Sequence, residues 1–123
     1  MDKEKILIDV PYLEDQDVKD NGDLQSEVCN GLPTLVLVQA NFCPHCTHAK
    51  PDFQKLLDSK NSFTILTIQG DGPESDKAAY QKLSHNVRGF PTYLEFSGDG
   101  KFKGVCEVGR DYSSLKSYMM KRQ

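Results

Sequence analysis

The apolar positions of this 123-residue chain fall into short runs whose period changes, and each change marks an element. In "KILIDV" (5–10), Ile6 and Ile8 alternate with Leu7 and Asp9, the pattern of a short strand, and Pro11 ends it. The polar stretch 14–23 reads as a loop. "DLQSEVCNG" (23–31) has room for two helical turns, with Asp23 as N-cap, Leu24 and Val28 on one face, and Asn30-Gly31 as the stop. "PTLVLVQANF" (33–42) is the strongest strand signal. Its nearly unbroken β-branched and leucine run predicts a central strand covered on both faces, and hence α/β packing.

The period then turns helical. Cys46, Ala49, Phe53, Leu56 and Leu57 trace one apolar stripe, and Pro51 inside it predicts a kink rather than two separate helices. "SFTILTI" (62–68) is a second strong strand, ended by "QGDGPES". A helix over about 76–84 follows, with Ser75 as cap and Ala79 and Leu83 facing inward. "FPTYLEFSGDGKFKGVCEV" predicts strands at 92–96 and about 102–108 around the Gly98-Asp99-Gly100 turn. A last helix starts near Asp111 or Ser113 and carries Leu115, Tyr118 and Met119 inward. The order β-α-β-α-β-α-β-β-α implies one domain over 1–123, with a single mixed sheet and helices on both faces.

Composition narrows the function classes. Hydrophobic residues make up 37% and charged residues 27%, with a formal net charge of -3, so no basic face for nucleic acid is expected. No apolar run reaches the length that spans a membrane. The start "MDKEKILIDV" lacks a secretory signal pattern, which predicts a reducing, cytoplasmic setting. Charge is uneven: residues 1–30 hold nine acids and three lysines. That acidic tract is expected to be a solvated loop, with steering of a basic partner as the alternative.

Candidate chemistry concentrates in "QANFCPHCTHAKPDF" (39–53), where Cys43 and Cys46 stand at the junction of a strand and a helix. A helix start offers free backbone amides and the positive dipole end, which favour a thiolate at Cys43. Cys46, one turn later, points toward the apolar stripe, so Cys43 is the exchanging sulfur and Cys46 the resolving one. Pro44 suits the first helical turn, and His45 can lower the thiol pKa and make the couple more oxidising. Two other readings stay open: a pair of inert core thiols, and a zinc site from Cys43, His45, Cys46 and His48. Four such side chains on one turn diverge, so no metal ligands are assigned and no cofactor is expected. Cys106 reads as a buried small hydrophobe alternating with Val108. Cys29 reads as possible surface thiol chemistry, through exposure, dimerisation or a bond to Cys106.

With "FCPHC" at 42–46, Pro51 eight residues after Cys43, "VRGFPT" at 87–92 and Gly109 before the last helix, the chain resembles the thioredoxin and protein-disulfide-isomerase superfamily. The resemblance covers about residues 30–121; residues 1–29 fit loosely, as an acidic addition. It implies a thioredoxin-like fold and thiol–disulfide oxidoreductase activity on protein substrates, with no cofactor. It also implies a cis bond before Pro91, a Phe90 backbone that pairs with extended substrate, and close backbone approach at Gly109. Phe42 stands where the family usually has Trp, keeping an aromatic wall for substrate. "CPHC" is similar to bacterial disulfide donors, and "GFPT" to the isomerase branch. One departure stands out: the acidic residue usual six positions before the first cysteine is Leu37 here.

The implied partners are protein thiols or disulfides and a regenerating redox protein, with the chain acting as a monomer, without nucleic acid or membrane. A virion or other assembly-associated location is the alternative to the cytoplasm. The rival function is a non-enzymatic thioredoxin-fold interaction module using Phe42, Phe90 and the acidic surface.

Overall fold

The structure, a computed structural model, describes residues 10–40, 44–58, 63–71 and 74–121. Its elements are α1 (Ser26–Cys29), β1 (Thr34–Gln39), α2 (Pro44–Asp58), β2 (Thr64–Gln69), α3 (Glu74–Leu83), β3 (Thr92–Phe96), β4 (Phe102–Cys106) and α4 (Tyr112–Met120), with short 3-10 turns at Asp15–Asp17 and Ser84–Asn86. Most of the strand expected at 5–10 lies outside the described residues. Just after it, Tyr12 bridges Thr67 in parallel, and Leu13 N–H donates to Thr67 O at 2.9 Å along the side of β2 away from β1.

The sheet order is β2-β1-β3-β4. β1 runs parallel to β2 and antiparallel to β3, and β3 pairs antiparallel with β4. All six residues of β1 are buried, as an apolar run covered on both faces requires. Period-two alternation then sorts side chains between two cores. Leu35, Leu37, Ile65 and Tyr93 face α2 and α4, packing with Phe53, Leu56, Leu115 and Met119. Val36, Val38, Leu66, Ile68, Leu94 and Phe96 pack on the other face with Leu24, Cys29, Ala79 and Leu83. Each fully buried leucine or phenylalanine contributes roughly 1.5–3 kcal/mol of transfer free energy.

Several local expectations are corrected. The first helix is one turn, Ser26–Cys29, with Gln25 rather than Asp23 at its N-cap. Asp23 instead accepts the Phe102 N–H at 3.1 Å, while Leu24 N–H donates to Gly100 O at 2.8 Å. This long-range pinning draws 23–25 out of the helix. Gly100, at φ +95°, is required there, since a Cβ would collide with the Leu24 carbonyl. By contrast, α2 continues through Pro51 as a single helix, as expected. α3 begins at Glu74, ahead of the expected Ser75 cap. β4 ends at Cys106, and Val108 lies beyond it, 40% exposed.

The 14–23 stretch is more structured than a loop reading implies. Lys82 of α3 donates to the carbonyls of Asp15 and Val18 at 3.0 and 2.9 Å and pairs with the Asp15 carboxylate at 2.9 Å. Val18 and Leu24 are buried on either side of an antiparallel bridge.

Candidate functional site

The site forms where the carboxyl end of β1 gives way to the amino end of α2. Cys43 and Phe42, the expected nucleophile and aromatic wall, lie outside the described residues. Pro44 opens α2 and is exposed, as its fixed φ and missing donor suit a first turn. His45 is exposed beside it. Cys46 has no exposed surface and packs with Ala40 and Phe90. It heads the buried stripe Cys46, Ala49, Phe53 and Leu56 that anchors α2 on the sheet.

Phe90 approaches from the segment before β3. Its ring sits 5.8 Å from that of Tyr80, and its edge lies against Gly70, where a Cβ would come within 3.0 Å. The Phe90–Pro91 peptide bond is cis. Phe90 is half-buried: one part covers Cys46 and the rest reaches the surface.

Gly109 is exposed, and the space beside its Cα has a local use. A Cβ there would meet Asp111 Oδ1 at 2.8 Å and Ser114 Oγ at 3.1 Å. Asp111 caps α4, accepting from Ser114 N–H at 3.1 Å and Ser114 Oγ–H at 2.8 Å. Those Ser114 bonds hold the Asp111 carboxyl below its ordinary value.

A shallow groove runs from the first turns of α2 to the start of α4, lined by His45, His48, Asp52, Arg110 and Asp111. Asp52 fixes its floor by accepting the Tyr112 N–H at 2.8 Å. A second depression, lined by Pro91, Tyr93, Cys106 and Val108, shares Arg110 with it. Sequence reasoning missed this pairing of grooves. His45, His48 and Asp52 do recur at spacings of three and four, but nothing local ties them to Arg110. Among the described residues, no group of three or more His, Cys, Asp or Glu side chains could hold a metal.

Beneath the site, the face shared with α2 carries buried polar atoms. Gln39 and Gln69 are cross-strand neighbours, both buried. The Gln39 amide donates to Thr67 Oγ at 3.4 Å, a long contact, and Thr67 Oγ–H donates to the Leu37 carbonyl at 2.8 Å. Leu37, at the position where an acid was absent from the sequence, is fully buried and pairs in register with Tyr93 of β3. Tyr93 is 3% exposed, its ring lies 6.0 Å from Phe53, and its hydroxyl has no hydrogen-bond partner.

The remaining cysteines fall on opposite faces of the sheet. Cys29 belongs to the α1/α3 core and Cys106 to the α2/α4 core, so a bond between them is ruled out by the sheet itself. Cys29 is a free thiol with no exposed surface, which corrects its expected exposure and its use in dimerisation. Burial pushes its thiol pKa up, against a smaller opposing hydrogen bond to Thr34.

Comparison with known proteins agrees with this architecture. The model of the thioredoxin family matches residues 16–121. A thioredoxin-like protein, 453L, of invertebrate iridescent virus 6 is 28% identical over 127 residues, covering 90% of this chain and 92% of the viral protein. Protein disulfide-isomerase erp38 of Neurospora crassa is 28% identical over 97 residues, spanning 76% of this chain but only 25% of the isomerase. The short form of thioredoxin F from spinach chloroplast superposes with a TM-score of 0.64 at 18% identity, covering 98% of this chain and 99% of that one.

Proposed function

Because the chain belongs to the thioredoxin family, we propose that it is a thiol–disulfide oxidoreductase that exchanges disulfides with protein substrates through Cys43 and Cys46. The observation that carries this reading is the placement of Cys46. It is wholly buried in the first turn of α2, under Phe90, three residues after a cysteine at the helix start.

In the reductive direction, the Cys43 thiolate attacks a substrate disulfide, forming a mixed disulfide and releasing one substrate thiolate. Cys46 then attacks the Cys43 sulfur. The Cys43–Cys46 bond forms, the second substrate thiolate leaves, and two electrons have passed from the pair to the substrate. The oxidative direction is the reverse, and a redox partner of either kind resets the couple. The sulfurs carry the electrons, so no metal or organic cofactor is required.

Pro44 limits the motion of the turn between the sulfurs. His45, exposed one residue before Cys46, stabilises the thiolate form and makes the couple more oxidising. Phe42, Phe90, Pro91 and Gly109 form the rim that receives an extended substrate segment, with Phe90 covering the resolving cysteine. The chain acts as a monomer on protein thiols. Among the described residues no helix is long and apolar enough to cross a membrane. The viral relative supports a virion or other assembly-associated setting.

Insulin reduction and oxidation of reduced ribonuclease, each measured for the parent and Cys43→Ser, test the reading. A cysteine-dependent rate in either is expected, and Cys46→Ser should trap a substrate as a mixed disulfide on Cys43. Absence of cysteine-dependent turnover in both assays would leave an interaction module in its place.

A further inference from the structure

Cys46 has no exposed surface, although it stands in the first turn of α2. With Ala40, just past β1, it forms a small buried pair against which Phe90 packs. The same phenylalanine packs against the α1/α3 core, alongside Tyr80 and Val87. It therefore reaches over the carboxyl end of the sheet, from the α3 side to the first turn of α2. Phe90 itself is only half-buried, as a cover at the surface would be.

The ring sits on Gly70. Unlike Gly22, Gly31, Gly100 and Gly104, Gly70 does not have a positive φ, so its backbone does not call for glycine. Space calls for it instead. A Cβ at Gly70 would come within 3.0 Å of Phe90 Cζ and 3.1 Å of its Cε1, closer than carbon atoms pack. The floor of this notch is fixed, because the Gly70 N–H donates to the Gln39 carbonyl at 2.8 Å and extends the β1/β2 ladder. Its wall is the Tyr80 ring of α3, 5.8 Å from that of Phe90.

We propose that Gly70 and Tyr80 position Phe90 as a cover that keeps external thiols and disulfides off Cys46. The inference rests on the dithiol reading above, and it divides the work between the sulfurs: one meets partners, the other meets only its neighbour. With the cover displaced, the Cys46 thiolate attacks an external disulfide such as glutathione disulfide. A Cys46–glutathione bond forms, a glutathione thiolate leaves, and the capped sulfur no longer resolves a mixed disulfide. Gly70 and Tyr80 are positioning residues, acting through the Phe90 ring and taking no part in the exchange.

The test follows Cys46 in the full chain carrying Cys43→Ser. Native protein is exposed to iodoacetamide for increasing times, quenched and digested, and the labelled Cys46 and Cys29 peptides are quantified by mass spectrometry. Cys29, fully buried in the α1/α3 core, reports opening of the fold as a whole. Adding Gly70→Ala is expected to speed Cys46 labelling, and Gly70→Leu or Phe90→Ala to speed it about tenfold, with Cys29 labelling unchanged. Tyr80→Ala should give a smaller rise. Gly70→Leu combined with Phe90→Ala should label no faster than Phe90→Ala alone, since both remove the same cover. Cys46 labelling that is the same in all these variants overturns the proposal. So does a rise that Cys29 matches in every variant, which marks general loosening, and so does an additive double variant, which means that Gly70 acts by another route. Insulin reduction by the parent separates the two readings: no cysteine-dependent rate removes the dithiol reading, while the labelling rates still decide whether Gly70 sets the cover.

Discussion

The two faces of the sheet are built from alternate residues of the same strands, yet they differ in kind. The face toward α1 and α3 is apolar, and its thiol, Cys29, lies among Val36, Leu94 and Leu83. The face toward α2 and α4 also buries leucine and phenylalanine, but it holds Gln39, Thr67, Gln69 and the Tyr93 hydroxyl as well. Cys29 and Cys46 are equally buried. What separates them is their place: Cys29 closes the end of α1 within the α1/α3 core, with a hydrogen bond to Thr34, whereas Cys46 lies in the first turn of α2 with Ala40 and Phe90. Burial alone makes a thiol inert, and the helix start is what the second has and the first lacks.

Truncating one phenylalanine on each face is the strongest way to break this contrast. Phe53→Ala and Phe96→Ala should each cost about 3–5 kcal/mol in chemical denaturation. Only Phe53→Ala should also slow insulin reduction, since that ring lies on the buried α2 stripe that Cys46 heads. Equal slowing by both would mean that the two faces are functionally alike.

A smaller effect is expected at the silent thiol. Cys29→Ala should lower stability by about 1 kcal/mol and leave insulin reduction unchanged. A lost rate would show that the apolar face takes part in the exchange.

The smallest effect concerns the rim. Asp111 is held ionised by Ser114, so its depressed pKa contributes stability above the ordinary carboxylate value, and that contribution disappears as pH falls through the lower folded value. Denaturation of Asp111→Asn beside the parent should therefore show a deficit at neutral pH that narrows in acid. A constant gap would mean that the charge is not what matters at this cap.

Much of this architecture is legible from the chain. β3 falls on the predicted residues, 92–96, and β1 and β2 lie within two or three residues of prediction, because alternation and β-branching report burial directly. The stripe Cys46, Ala49, Phe53 and Leu56 is buried as its spacing requires, although Leu57 at its edge is only partly so. Asp111 caps the last helix, as one of the two expected starts. What local pattern could not supply were contacts across the chain. Asp23 looks like a helix cap until Phe102, 79 residues away, claims its carboxylate. Tyr93 is another such case, because a strand tyrosine reads the same in sequence whether its hydroxyl reaches solvent or, as here, is buried without a partner. The grooves behaved similarly, since Arg110 joins them only through folding.

The clasp made by Lys82 has a consequence for how this molecule meets others. A single ammonium holds the 3-10 turn by two carbonyls and a carboxylate, while the 19–23 segment closes on itself through Lys19 N–H to Asp23 O at 2.7 Å. The acids there are thus mounted on a fixed knob. A free tail would present an averaged field, whereas a fixed knob keeps its heading; steering of a basic partner, the alternative the sequence raised for these acids, would then depend on orientation and fade as salt is added.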